Sequence, residues 1–386
     1  MKTYLAIAGG LPLLLVCGVA TTNYVLDPFL IHQWQTPQVQ RLRQPVEKLN
    51  AWGKTYAMAI YRPETIYLGN SRTELGLAVP HDGRGRVFNA ALSGATVGDA
   101  MRMLGHARQV GEVRTVIWGL DAPSFTLAVG NTELEGALLA TDERYLERRF
   151  LLDLRRAVSV DMSRESFDML RGERLAVCHP SLAQFGQRDA ACMHHRIQGW
   201  GGTAQVNDAR TREFLRGEGP AAGALESVES AIKRACKVHW RLYVNPTHAM
   251  TIDGLYWAGK GLVYEAWLAN LAAMGGRLRS SGCDVRLFDF SGFNGVTSEA
   301  VPRPGDRSDM QNYWETSHYR EKVGNAILRR LDGGESTSDG FGDELLPETI
   351  GAHIAMLRQR RSRYLSSHAY EAGVARRIAD RHVRGL

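Results

Sequence analysis

The feature that most constrains this chain is an apolar stretch near its N-terminus. After Lys2 no charged residue occurs until Asp27, and residues 4–20 are almost entirely apolar. A helix needs about 20 such residues to cross the hydrocarbon core of a bilayer. A lysine ahead of the stretch and no charge close behind it set the N-terminus inside and the rest of the chain outside. Gly18-Val19-Ala20 also fits a small-x-small cleavage site, so a cleaved signal peptide competes with an anchor. The apolar run continues through Tyr24, Val25 and Leu26, which favours an uncleaved single-pass anchor in the inner membrane. Cys17 does not follow a small residue as a lipidated cysteine would. Either way, the body is expected on the periplasmic side.

With 386 residues, 44% hydrophobic and 23% charged, that body has the composition of a globular domain. The net charge of +6 is confined to one end: eight arginines from Arg358 onward face only Glu371 and Asp380. The rest is near neutral, and no nucleic-acid-binding motif accompanies the arginines, which argues against nucleic acid as a partner. Residues 333–342 (G-G-E-S-T-S-D-G-F-G) have the composition of a linker. The basic helix beyond them is therefore expected to be a separate appendage that meets an anionic surface, membrane or polymer. Cys178 and Cys192 bracket a Gly/Pro-containing stretch and are candidates for a disulfide staple in an exported protein. His179, His194 and His195 stand beside them, but the spacing matches no zinc pattern, and no metal or cofactor is expected.

Short apolar runs at 65–68, 87–92, 113–120, 240–244 and 284–290 alternate with turns and helical patterns. That rhythm predicts an α/β fold: a three-layer α/β/α, doubly wound parallel sheet with an N-terminal transmembrane helix and a C-terminal helical tail. The expected division is an anchor at 1–26, a connector at 27–60, a main domain at 61–332 and a linker with its basic tail at 333–386. Charged helical segments within about 125–237 read as an insertion that shapes the site. Ligands in such sheets gather beyond the carboxyl ends of the strands, and three short motifs fall there.

Gly69-Asn70-Ser71-Arg72 follows the first run, Asn89 to Gly94 (N-A-A-L-S-G) the second, and Gly119-Leu120-Asp121 ends the third. Near the other end stands Glu315-Thr316-Ser317-His318. A serine attacks a carbonyl only when a base takes its proton and something stabilises the oxyanion. Ser71 in a tight turn, with a histidine that a carboxylate three residues away can orient, has those components. Each residue also has a plainer reading: Ser71 as a helix cap, His318 as an interface histidine, Gly94 as a turn glycine, Asp121 as a structural acceptor. Asp306, Asp309 and Asp289 compete with Glu315 for the orienting role.

These blocks resemble the SGNH, or GDSL-like, hydrolase superfamily over roughly residues 65–125 and 240–330. The resemblance implies Ser71 as nucleophile, His318 as base, Glu315 in the usual aspartate's place, and the amides of Ser71 and Gly94 as oxyanion donors. Where the third block normally carries an asparagine donor, this chain has Asp121, which when ionised can only accept. Arg72, Asn89, Asp121 and His248, the last after Asn245-Pro246 at a strand end, are candidate substrate contacts. The arrangement of anchor, early serine, insertion and late acid-x-x-His is similar to membrane-anchored members that act on envelope glycans. It implies an esterase or O-acyltransferase working on an acylated polysaccharide, with acyl-transfer machinery in the same membrane as a partner. The competing expectation is a degenerate glycan-binding or structural envelope protein, suggested by the missing asparagine.

Overall fold

A computed structural model describes residues 2–32, 50–80, 85–172, 186, 190, 193–217, 219–335, 337 and 339–385. Its centre is a six-stranded sheet in the order β2-β1-β3-β4-β5-β8. The strands are β1 (Thr65–Leu68), β2 (Val87–Asn89), β3 (Thr115–Leu120), β4 (His239–Val244), β5 (Val285–Asp289) and β8 (Asp343–Glu344). The first five run parallel and β8 closes one edge antiparallel. Between them in sequence, β6 (Tyr313–Glu315) and β7 (His318–Tyr319) form a separate hairpin.

Side-chain alternation buries both faces of the sheet. Ile66, Leu68, Val116, Trp118, Leu242 and Leu287 point into one apolar layer; Tyr67, Tyr243 and Phe288 point into another. Such two-sided burial is what parallel strands need, because their crossover helices cover both faces. Helix α4 (Val97–Val110) and helix α11 (Gly261–Ser280) pack in the first layer, and α12 (Glu321–Leu331) in the second. Local chemistry starts α4 cleanly: Thr96 and Asp99 form a reciprocal capping box.

Fourteen helices are seen among the described residues. The first, α1 (Lys2–Leu26), is the one long and apolar enough to cross a membrane. Residues 33–49 of the expected connector lie outside the described residues, but α2 (Asn50–Tyr61) is part of the core, with Ala51 and Met58 fully buried. Helix α3 (Ser71–Gly76) follows β1 directly. The expected insertion between β3 and β4 carries α5 (Tyr145–Ala157), α6 (Val160–Arg171), α7 (Met193–Gly199), α8 (Thr203–Arg216) and α9 (Ala224–Arg234). Helix α10 (Ala249–Trp257) precedes α11.

The C-terminal region departs from expectation. Rather than a tethered appendage, it contributes β8 to the sheet and packs α13 (Ile350–Ser367) and α14 (Ala369–Val383) against the body. Ala375, Ile378 and Ala379 are fully buried. The arginines find acids on the body: Arg361 reaches Asp253 at 2.7 Å and Arg358 reaches Glu265 at 2.6 Å. His353 meets the buried Asp289 at 2.8 Å. Residues 178, 179 and 192 lie outside the described residues; the disulfide seen joins Cys236 to Cys283, just ahead of β4 and β5.

Candidate active site

Strand β1 delivers the chain to a turn that only glycine can open. Gly69 has φ +147°, and a Cβ there would lie 2.4 Å from Thr73 Oγ1. The next residue caps α3, Asn70 Oδ1 accepting the Arg72 amide at 3.1 Å. Ser71 is thereby the first helical residue, at the carboxyl end of the central sheet.

Glu315 and His318 meet across a tight turn. They are the cross-strand pair that closes the β6–β7 hairpin, with Thr316-Ser317 as its two-residue turn. Opposed residues of a hairpin bring their side chains together on one face. His318 Nδ1 donates to Glu315 Oε1, and the Ser317 amide donates to Oε2 at 2.7 Å. Burial alone would raise the carboxyl's pKa. The charge and hydrogen bond of His318, the nearby Arg210 and the Ser317 amide outweigh that and hold it below its ordinary value. With Nδ1–H committed to a carboxylate, Nε2 is left as an acceptor, and Ser71 Oγ lies 2.7 Å from it.

Ser71 and His318 open into a cleft of about 280 Å³, lined also by Gly94, Thr96, Ser124 and Arg72. Gly94 adopts a left-handed φ of +72°, which explains the glycine in that turn. The turn is braced from below: Ser93 Oγ donates to Glu74, Asn131 Nδ2 donates to the Ser93 carbonyl, and Lys54 bridges Glu74 and the Ala91 carbonyl. Lys54 and Glu74 are wholly buried, and desolvation pulls the lysine's pKa down against the pull of the glutamate. A larger cavity, about 490 Å³, lies between α8, the 301–306 loop and α14, and holds none of these side chains.

Asp121 sits beneath the cleft and works as an acceptor. It takes hydrogen bonds from Asn70 Nδ2 at 2.8 Å and Asn245 Nδ2 at 2.9 Å, and pairs with Arg72 at 2.5 Å. Arg72 in turn donates to the carbonyl and the hydroxyl of Ser317, both at 3.0 Å. Its guanidinium therefore ties the serine's helix to the histidine's hairpin. Below, Asn245, Tyr319, Tyr243 and Thr73 continue a buried polar chain.

Besides Asp121, two further expected substrate contacts do not reach the cleft. Asn89 is fully buried, its Nδ2 donating to the carbonyls of Thr73 and Leu77 and its Oδ1 accepting the Ala91 amide; it clamps α3 to β2. His248 is also fully buried, capping α10 through the Met250 amide and bonding the Glu299 carbonyl, and desolvation pulls it down to about 4. Strand-end position alone misleads there, because β4's end is covered by the 297–301 segment. The rival orienters are engaged elsewhere: Asp289 with His353, and Asp309 with His194 and Arg320. Asp306 is exposed.

Sequence reasoning missed the contribution of α8. Arg210, Glu213 and Phe214 form one wall of the cleft, and Arg210 Nε stands 3.7 Å from Glu315. No motif marks them. Asn245 carries a signal, an Asn-Pro pair at a strand end, and it is Asn245 rather than His248 that bonds Asp121 beside the cleft. Compared with protein families, curated proteins and solved structures, the chain gives no match.

Proposed function

We propose that this chain is an SGNH-type serine esterase or O-acyltransferase, held by α1 in the inner membrane with its body on the periplasmic side. The observation that carries the reading is the unbroken relay from buried Glu315 through His318 to Ser71, open to a cleft. The strand order β2-β1-β3-β4-β5 is that of doubly wound, flavodoxin-like sheets, whose ligands bind at this end. The apolar α1 and the Cys236–Cys283 disulfide suit an anchored protein in an oxidising compartment.

On this reading Ser71 Oγ attacks the ester carbonyl while His318 Nε2 takes its proton. The developing oxyanion is met by the amides of Ser71 and Gly94, and Glu315 stabilises the imidazolium without itself taking the proton. His318 then returns the proton to the leaving alkoxide, and an acyl-serine remains. Water completes hydrolysis, or a sugar hydroxyl completes transfer; in either case its proton goes to His318 and passes to Ser71 as the acyl bond breaks. Asp121, already accepting from Asn70, Asn245 and Arg72, holds the frame, so oxyanion stabilisation falls to backbone amides. The substrate favoured by the arrangement is an acyl ester of an envelope polysaccharide.

A fluorophosphonate probe on the full chain in detergent tests the reading. Labelling is expected in the parent protein, lost in Ser71→Ala, and slowed by about 10³-fold or more in His318→Ala. Either no labelling or labelling that survives Ser71→Ala overturns the reading, and the first outcome leaves a non-catalytic binding protein.

A further inference from the structure

Helix α5 is built inside out, and its neighbour α6, which buries Met162 and Met169, leaves further large apolar side chains outside. The face of α5 turned to the body carries Tyr145, Arg149 and Asp153, all buried. Arg149 is satisfied there by Asp153, Thr55, Tyr145 and the Trp52 carbonyl. The outward face carries Leu146, Phe150, Leu151, Leu154 and Val158, exposed by 42 to 65%. Positions 146, 150, 154 and 158 recur every four residues and so form one stripe. On α6 the same holds for Val160, Phe167 and Leu170, with Val160 exposed by 86%.

Large apolar side chains exposed in one continuous patch mark a surface made to be covered. What covers this one follows from its neighbour. Helix α1 packs against both α5 and α6. Asn23, buried near its end, donates to the Ala157 carbonyl at 2.7 Å and to Ser163 Oγ at 2.9 Å. The patch therefore begins where an exposed apolar helix ends, and that helix, on the reading above, is in lipid. Exposed Arg155, Arg164 and Arg171 stand along the pair. Long cationic side chains at such positions lay their stems in the acyl region and reach the headgroups with their charges. A protein partner would leave the continuity with α1 and the interspersed arginines unexplained.

We propose that α5 and α6 lie in the membrane surface, their outward face sunk into the lipid. The body then sits on the bilayer on two supports, α1 through it and α5–α6 along it, and the cleft is held at a fixed tilt to the membrane. The proposal rests on α1 spanning the bilayer, and the experiment separates the two.

The full chain, with Cys17, Cys178 and Cys192 replaced by serine, is given one new cysteine at a time: Leu13→Cys, Leu151→Cys, Phe167→Cys or Val383→Cys. Each is labelled with a nitrobenzoxadiazole dye and reconstituted into phosphatidylethanolamine–phosphatidylglycerol vesicles, with or without acyl-brominated lipid. Quenching at 151 and 167 is expected to approach that at 13 and to exceed that at 383 by about threefold or more. Strong quenching at 13 with 151 and 167 matching 383 overturns the proposal and leaves the anchor standing. Quenching absent at 13 as well removes both. Crosslinking between two copies through position 151 without lipid quenching assigns the face to self-association and overturns the proposal too. Two labelled sites on the pair guard against one variant misfolding.

Discussion

Two arginine-rich helix pairs flank this molecule, and they are built on opposite plans. In α13–α14 the buried face is apolar, with Ala375, Ile378 and Ala379, and the arginines reach sideways to acids on the body. In α5 the buried face holds Arg149 with Asp153, and large apolar side chains of both α5 and α6 look out. The charge content of a helix thus says little about which face is inside. A guanidinium can be buried when every N–H finds an acceptor, and an apolar face can be left outside when something other than water covers it.

The contrast can be broken most severely at the C-terminus. Deleting residues 343–386 strips β8 from β5 and uncovers the surfaces beneath α13 and α14, so loss of a cooperative unfolding transition is expected by circular dichroism. A truncated chain that still unfolds cooperatively would restore the appendage reading. Next in size is Arg149→Ala, which leaves the buried Asp153 carboxylate without its partner. It should cost about 3–5 kcal/mol in urea unfolding, with much of the loss recovered in Arg149→Met combined with Asp153→Leu. Arg361→Ala should cost less, about 2–4 kcal/mol, because Asp253 keeps the Trp257 indole donor at 2.9 Å.

A pH titration sharpens the same comparison. Burial pulls His353 down, but its bonds to Asp289 and Asp343 prevail and raise it to about 9 from 6.5. A raised folded value means the contribution is complete below pH 6.5 and fades as pH rises through 9. Stability is expected to fall across that window by on the order of 2 kcal/mol, allowing for partial exposure. In His353→Gln the slope should flatten, as measured by urea midpoints at pH 6, 7.5 and 9. The smallest effect is expected at Leu151→Ser, within about 0.5 kcal/mol in detergent, since that side chain is 65% exposed. A large loss there would mean that the stripe packs on protein.

Much of the sheet was legible because parallel strands buried on both faces read as short apolar runs ending in turn residues. Ser71, Glu315 and His318 were legible for a related reason: each lies at a chain reversal whose geometry is local. Gly69 opens one turn, and Thr316-Ser317 closes the other. What could not be read was whatever depends on distant partners. Arg210 reaches Glu315 across 105 positions of chain, from a helix whose pattern shows only charge. Asn89 and His248 carry the right chemistry at strand ends, yet the backbone covering them is specified elsewhere. The C-terminal pair was misjudged because its ten-residue polar lead-in looks like a tether, while the acids that dock it, Asp253 and Glu265, lie about a hundred residues earlier.

Arg72 faces the cleft and also grips the backbone beside His318. On the proposed chemistry, a substrate that drew the guanidinium to its own negative charge would pull it from Ser317 and slacken the hairpin carrying the base. Attraction of an anion and transfer of a proton then compete for one side chain. On that chemistry the cleft would admit acidic acyl groups only at the expense of turnover, and an uncharged ester would leave the relay undisturbed.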